Sequence, residues 1–383
     1  MIMRKLFYIL LFIPLLLSAQ FAGGSGTSGD PYQIATALQL DSVRNHLSSH
    51  YILTANIDLS EYSDWIPIGD NSNPLTGNLD GNYKTISNLT IITASKSTCG
   101  LIGICQDNIK NLTIKNANIN IASFSYYIFC FGVLSGASFT GLIQNVKISH
   151  PIIRISGNGY ANLAAFIGTS NSTDIRRCSV DSLDMICNSS SANTGSIVGG
   201  QWGGGASGAR DITETYATGD ITVSQNNMTA GFIGYKNVSS IINCYSRVNI
   251  HVINQFSYTG LAGFVNNFSA DSCKNSYSAG ILQTLTAGGH KSGFIDYNIG
   301  YAANTNYFDS TTAGTSVDNF QGGSGGSANA KSTTQMKTQA TFSGWDFVNI
   351  WKIDPNVNNG YPYLRNNPPN IPALVSKRLR IRR

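Results

Sequence analysis

The chain is poor in charge. Only 12% of its 383 residues are Asp, Glu, Lys or Arg, about half the share of an ordinary globular protein. Glutamate occurs twice, as Glu61 and Glu214. After the first 20 residues no apolar run is long enough to span a bilayer. There is no C-x-x-C and no paired Cys/His spacing, which sets a zinc site aside. His46, His50, His150, His251 and His290 have no Ser or Cys partner in a G-x-S-x-G elbow. The glycine-rich stretch 199–205 lacks the Lys-Ser/Thr of a phosphate loop.

Positive charge is also missing where it would matter for nucleic acid. The net +5 includes Arg4 and Lys5 at the start and Lys377, Arg378, Arg380, Arg382 and Arg383 at the end. Without those seven the body carries −2, whereas a nucleic-acid footprint needs a basic body. Arg4 and Lys5 precede an apolar core over 6–17, and Leu17-Ser18-Ala19 offers a small residue for cleavage before Gln20. That pattern predicts a secretory signal over 1–19 and an exported mature chain, secreted or at the cell surface, with no transmembrane segment.

What the sequence does contain is a period. A small apolar tetrapeptide closed by glycine recurs: Gly100-Leu101-Ile102-Gly103, Gly132-Val133-Leu134-Ser135, Ala165-Phe166-Ile167-Gly168, Ser196-Ile197-Val198-Gly199, Gly231-Phe232-Ile233-Gly234, Gly260-Leu261-Ala262-Gly263 and Gly293-Phe294-Ile295-Asp296. Their first residues lie 32, 33, 31, 35, 29 and 33 positions apart. A second phrase keeps step, with Asn at its third place in Ile86-Ser87-Asn88-Leu89 and again at Asn111, Asn145, Asn243 and Asn275; Arg177 and Glu214 interrupt it. Two phrases sharing one period indicate a repeat architecture. Three short apolar runs per period of about 30 residues, separated by Gly, Ser and Asn, predict an all-β parallel β-helix, a β-solenoid whose strands pair with their copies one coil on. Stacked asparagines at a corner supply amide ladders and accept left-handed backbone.

The flanks differ from the repeat. Residues 36–46 carry a helical stripe (Ala37, Leu38, Leu40, Val43) with Thr36 as N-cap, predicting a short helix that covers one open end. The 20–99 region would hold this cap and the first coils, 100–300 the repeats, 301–365 a C-terminal cap and 366–383 a basic tail. Phe342, Trp345, Phe347, Trp351, Tyr361 and Tyr363 make the last of these caps aromatic. Covering exposed core and strand edges at the other end is their expected role. The alternative is that Trp345, Trp351 and Tyr361, with Trp202 on a glycine-rich loop, form a binding surface for sugar rings.

The seven cysteines, at 99, 105, 130, 178, 187, 244 and 273, read best as small buried hydrophobes. Cys178 and Cys244 lie two coils apart, about 10 Å and beyond disulfide reach. Cys99 and Cys130, in adjacent coils, are the one pair that could close.

For catalysis, a glycosidase needs two carboxylates about 5–10 Å apart. The body from 100 to 296 holds nine acidic residues and few share a register. Asp181, Asp184, Asp211 and Asp220 beside Arg176 or Arg177 are the group to examine. No catalytic or metal residue is assigned, and no cofactor is expected, although Asp58, Asp64 and Asp70 could offer loop oxygens to Ca2+.

The ordered set of landmarks resembles the GLUG-motif proteins of bacteria. Besides the repeats these are Asp30-Pro31-Tyr32-Gln33-Ile34, Asn56-Ile57-Asp58-Leu59-Ser60, Leu75-Thr76-Gly77-Asn78-Leu79-Asp80-Gly81 and Asn359-Gly360-Tyr361-Pro362-Tyr363-Leu364. The likeness covers about residues 21–365, and it departs where Gly132-Val133-Leu134-Ser135 and Gly293-Phe294-Ile295-Asp296 lose the closing glycine. The resemblance implies a right-handed β-helical stalk on a secreted or surface protein, in some members an adhesin, contacting a glycan, host surface or other cell. With no protease domain, the peptidase activity of some relatives does not transfer. A non-enzymatic adhesive rod is the expectation; a polysaccharide lyase or hydrolase on the same fold is the alternative, and a passive stalk the third.

Overall fold

The computed structural model describes residues 20–369 apart from 95–96, 125–127, 201–210, 225–227, 255–259, 286–289, 299, 301, 320 and 322–327. The expected signal, residues 370–383 of the basic tail and Trp202 lie outside the described residues. Nearly all strands belong to a single all-parallel stack in which each pairs with its counterpart one coil later. One coil runs Ile109–Lys115, Asn118–Ile121, Ile128–Phe131 and Ser135–Ser138. The next opens with Leu142–Ser149 and Ile152–Ala164, in register with the first. That is four strand segments per coil, one more than the three apolar runs suggest. The fold is a parallel β-solenoid.

Each coil turns where the sequence places its asparagines. Asn111, Asn145, Arg177, Glu214, Asn243 and Asn275 all have φ between 47° and 56°. Short side chains that hydrogen-bond locally accept this left-handed conformation best. Asn145 Nδ2 donates to Asn111 Oδ1 at 3.0 Å, and Asn111 Nδ2 to Asp80 Oδ1 at 3.1 Å. Asn88 belongs to the following corner instead. Ile86 pairs with Ile114 and Leu79 with Ile109, so the second phrase enters this coil as Leu79-Asp80-Gly81-Asn82.

The first phrase is in register too, with two shifts. Phe131 pairs with Cys99 while Ser135 pairs with Ile102. Four steps therefore face three, and the phrase becomes Val133-Leu134-Ser135-Gly136. Ile233 pairs with Val265, making the later copy Gly263-Phe264-Val265-Asn266. The closing column thus reads Gly69, Gly103, Gly136, Gly168, Gly199, Gly234, then Asn266 and Asp296. Glycine is required there by proximity: a Cβ on Gly103 would lie 2.2 Å from the Gly69 carbonyl oxygen, and one on Gly234 2.5 Å from that of Gly199.

The core is one continuous apolar cluster along the axis. Phe232, Phe264 and Phe294 stack within it at 4.6 and 4.5 Å. Cys99, Cys105, Cys130, Cys178, Cys187, Cys244 and Cys273 are buried, and none is in a disulfide. Cys130 pairs with Thr98 rather than Cys99, one residue off register, so that disulfide does not form. Burial pushes the Cys130 thiol up to about 11 and that of Cys105 to about 12. These are inert packing groups.

At the N-terminal end the helix Ala37–Ser42 continues into the turn Val43–Asn45, with Thr36 Oγ1 accepting from the Gln39 amide. Leu40 and Val43 join the core. The C-terminal end is closed by residues 310–319 and 328–331 rather than by the aromatics. One carboxylate oxygen of Asp318 accepts the Phe294 and Ile295 N–H groups at 3.1 and 2.7 Å, and the other accepts Ala328 N–H at 2.7 Å. A buried carboxylate thereby occupies the donors that the last strand edge would leave open.

The aromatic segment then folds back along the flank. Outward positions of the second corner carry Ser179, Tyr216, Tyr245 and Tyr277 in register. The three tyrosines stack at 4.8 and 5.1 Å, their rings nearly parallel. With Tyr307 they form a second cluster, roofed by Phe342, Trp345, Trp351, Tyr361 and Leu364. The strap ends where Asn367 Nδ2 donates to the carbonyls of Cys178 and Glu214 at 2.9 and 3.1 Å. It therefore spans several coils sideways. The aromatic cap is lateral.

Candidate functional site

The second strand of each coil leaves a solvent-facing sheet. Its outward column runs Asn118, Ile152, Asp184, Asp220 and Asn249 in register. A parallel column two residues on holds Asn120, Arg154, Ile186, Thr222, His251 and Gln283. Alternation puts these side chains outside and their neighbours in the core.

The polar groups on this face are tied to one another across coils. Arg154 Nη2 meets Asp184 Oδ2 at 2.6 Å, and its Nη1 donates to the Asp184 carbonyl at 2.9 Å. Asn249 Nδ2 donates to Asp220 Oδ1 at 3.0 Å while its own Oδ1 accepts Ile281 N–H at 2.9 Å. His251 lies between Asp220 Oδ1, 3.7 Å away, and Gln283 Oε1, 2.9 Å away. Large apolar side chains stand exposed among them: Ile152 at 45%, Ile253 at 47%, Ile281 at 45% and Leu285 at 58%. Shallow cavities of about 380 and 540 Å³ flank the face, the first beside His150 and Asp184, the second beside Phe124 and Asn188. Flat, rigid and amphipathic, it has the character of a contact surface.

The structure divides the carboxylates that the sequence grouped. Asp184 and Asp220 do share this face. Asp181 is buried at the strap, where Tyr216 Oη donates to both its oxygens at 3.0 and 2.9 Å. Asp211 lies at the first strand, its N–H bound to Asp174 Oδ1 at 3.0 Å. Arg177 is paired with Glu214. The four do not line one groove.

Three of the four aromatic binding candidates are corrected, while Trp202 lies outside the described residues. Trp345, Trp351 and Tyr361 are 7%, 0% and 4% exposed. Trp345 Nε1 donates to the Thr305 carbonyl at 2.9 Å, and Tyr361 Oη to Asp309 Oδ2 at 2.7 Å. Arg247 and Lys337 sit over the Tyr361 ring, 4.8 and 5.0 Å from its centre. Their faces are spent on the strap, so no sugar ring can stack on them. The missed partner was the tyrosine column, legible as Tyr at the same place in the repeat at 216, 245, 277 and 307.

The N-terminal aspartates each serve backbone. Asp58 Oδ1 accepts Ser60 N–H and Asn88 Nδ2, Asp64 Oδ1 accepts Ile92 and Thr93 N–H, and Asp70 Oδ1 accepts Ser72 and Asn73 N–H. The Asn88 amide, then the Ser60 N–H, hold the Asp58 carboxyl below its usual range. Among the described residues no group of three or more His, Cys, Asp or Glu side chains is placed to hold a metal ion. Among them, too, no helix is long and apolar enough to cross a membrane.

No family model matches the chain. It is 36% identical over 140 residues to a "Putative Gly-rich membrane protein" of Evansella cellulosilytica, a match covering 34% of this chain and 16% of that one. It is 41% identical over 108 residues to "Halomucin" of Haloquadratum walsbyi, covering 25% of this chain and 1% of the other. The chain thus spans a small fraction of the length of these relatives. Among solved structures it is similar to one described as a "putative immunoglobulin A1 protease from Bacteroides ovatus", with a TM-score of 0.53 at 20% identity over 91% of this chain and 96% of that one. At that identity the likeness is one of fold.

Proposed function

We propose that this chain is an exported surface or secreted β-helix protein that works without turnover, presenting the second-strand face of its solenoid for adhesion to a glycan, a host surface or another cell. The observation that carries this is the face itself. Arg154, Asp184, Asp220, Asn249 and His251 are cross-linked between coils, and apolar Ile152, Ile281 and Leu285 are left uncovered beside them. Preorganised polar groups and exposed apolar area together favour binding. The names of the membrane-protein and mucin relatives are in keeping with a surface location.

Attachment of the mature chain to candidate cells and immobilised glycans tests this reading. Arg154→Ala and Asp220→Asn should each reduce attachment several-fold while leaving the thermal midpoint unchanged. Attachment unaffected by both would overturn it.

A second reading, an enzyme acting on polysaccharide, rests on the register of Asp184 with Asp220. Adjacent coils are about 4.8 Å apart, close to the separation of a retaining carboxylate pair. Cleavage of any bound polysaccharide, abolished by Asp184→Asn, would favour it.

A further inference from the structure

A groove opens on a different face. It lies on the outer side of the first strands at the N-terminal end, where a cavity of about 380 Å³ opens. Two outward columns form its floor. Ile52, Asp80, Lys110 and Gln144 are in register on four successive coils. His50, Asn78, Asn108 and Leu142 run alongside, two residues earlier. Ser28 and Pro31 from the glycine-rich lead-in wall one side, which makes this part of the sheet concave. Three coil steps at about 4.8 Å give a floor roughly 14 Å long. That length suits an extended ligand better than a single small ion.

The chemistry of the floor narrows the class. Its two fully charged groups cancel, with Lys110 Nζ 3.2 Å from Asp80 Oδ2. A net-charged ligand would therefore find no counter-charge. What remains is a mixture of donors and acceptors. The Asn78 backbone N–H donates to His50 Nδ1 at 3.3 Å, so a neutral His50 carries its proton on Nε2 and is a donor there. Asn108 spends one amide proton on Asn78 Oδ1 at 3.2 Å and has a second. Lys110 retains further N–H groups, and Gln144 offers both an oxygen and an NH₂. Between them Ile52, Leu142 and Pro31 supply apolar patches. Alternating hydroxyl partners with C–H surfaces of matching size describes the two faces of a sugar ring.

We infer that this groove is a binding subsite for a short, linear, uncharged oligosaccharide, with Lys110, Gln144, Asn108 and His50 addressing its hydroxyls. The inference rests on the non-enzymatic binding role proposed above but uses separate residues. Isothermal titration calorimetry of the mature chain with neutral cello-, xylo- and manno-oligosaccharides, and with oligogalacturonate as the charged comparison, tests it. At least one neutral oligosaccharide should bind. Lys110→Met and Gln144→Ala should each weaken it about tenfold, as expected for losing one ligand hydrogen bond in a preorganised site. Val348→Ala, at an exposed position outside both faces, should leave it unchanged.

Asp80→Ala is avoided because Asp80 also holds Asn82 and Asn111. Both groove substitutions lie on the surface, and an unchanged thermal midpoint excludes misfolding. The inference is overturned if no neutral oligosaccharide binds, if oligogalacturonate alone binds, or if neither groove substitution weakens binding. Cell attachment that persists in the two groove variants but falls in Arg154→Ala leaves the adhesive face standing when the groove fails; the converse leaves the groove standing alone.

Discussion

Arg177 and Glu214 are consecutive rungs of a corner column otherwise made of asparagine, and they replace its amide ladder with an ion pair, Nε to Oε2 at 3.3 Å. Both keep the left-handed backbone of the column, at φ 53° and 47°. The substitution coincides with the landing point of the strap, where Asn366 Nδ2 reaches Glu214 Oε2 at 3.4 Å and Asn367 reaches the Glu214 carbonyl. A longer, charged side chain extends out of the corner far enough to meet a segment that a ladder amide would not reach.

A double-mutant cycle at this pair follows. Arg177→Ala leaves the carboxylate of Glu214, 12% exposed, without its cation. Because Arg177 is itself 38% exposed, solvent screens the pair, and the loss should be about 1 kcal/mol. Glu214→Ala completes the cycle, and because the ion pair is lost only once, the Arg177→Ala/Glu214→Ala double variant should lose less than the sum of the singles. Urea midpoints at matched m-values measure this; strict additivity would mean that the two side chains do not interact.

The closing glycine column gives a sharper prediction. Gly103→Ala places a Cβ 2.2 Å from a backbone oxygen of the preceding coil, whereas at Gly29 nothing lies within 4 Å. Coils cannot separate locally without breaking ladder hydrogen bonds, so Gly103→Ala should cost about 3 kcal/mol. Gly29→Ala should be neutral. Thermal denaturation of the two variants side by side checks it, and equal midpoints would contradict the tight coil spacing.

The repeat was legible because the solenoid imposes one physical demand, small residues at coil contacts and Asn at left-handed corners, in every coil. Register was harder to see. The extra residue before Leu134 shifts one phrase by a single position, and Leu261-Ala262 imitates the pattern three residues early, so only strand pairing separates them. The long-range strap was illegible for a different reason. Tyr216 Oη lies 3.2 Å from the carbonyl oxygen of Pro368, 152 positions away, and no local period encodes such a contact. The same distance misplaced the aromatic residues: Trp345, Trp351 and Tyr361 read as an end cap, or alternatively as a sugar-binding surface, because their partners, tyrosines on successive coils, lie far off in sequence. The outer face with Asp184 and Asp220 was half legible, since a shared side could be guessed but not the absence of Asp181 and Asp211 from it.

Strap energetics can be tested directly. Trp351 is fully buried between Tyr245 and Tyr277, with ring centres 6.2 and 6.1 Å away. Trp351→Ala should destabilise by about 3–5 kcal/mol, the usual range for removing a core aromatic. The uncovered tyrosines should then bind a dye that reports apolar surface, and protease should cut first in the segment 333–368. A variant that keeps wild-type protease resistance would show that the roof holds without its central ring.

A last prediction concerns pH and the solenoid's C-terminal end. Asp296 occupies the closing column where Asn266 stands one coil earlier, and burial pushes its carboxyl up to about 6. Ser292 Oγ and Gln321 Nε2 donate to it at 2.9 and 2.6 Å and limit that rise. Burial likewise raises Asp318 close by. A carboxyl with a raised folded pKa binds more protons folded than unfolded, so stability falls as pH rises from the unfolded value, about 4, through 6. The penalty is then complete at neutral pH. Asp296→Asn supplies the residue that the column already uses at 266. It should raise the denaturation midpoint at pH 7.5, leave it nearly unchanged at pH 4, and flatten the pH dependence between them. Urea titrations across pH 4–8 measure this, and an equal gain at both extremes would mean that the carboxylate's charge is not what weakens this end of the rod.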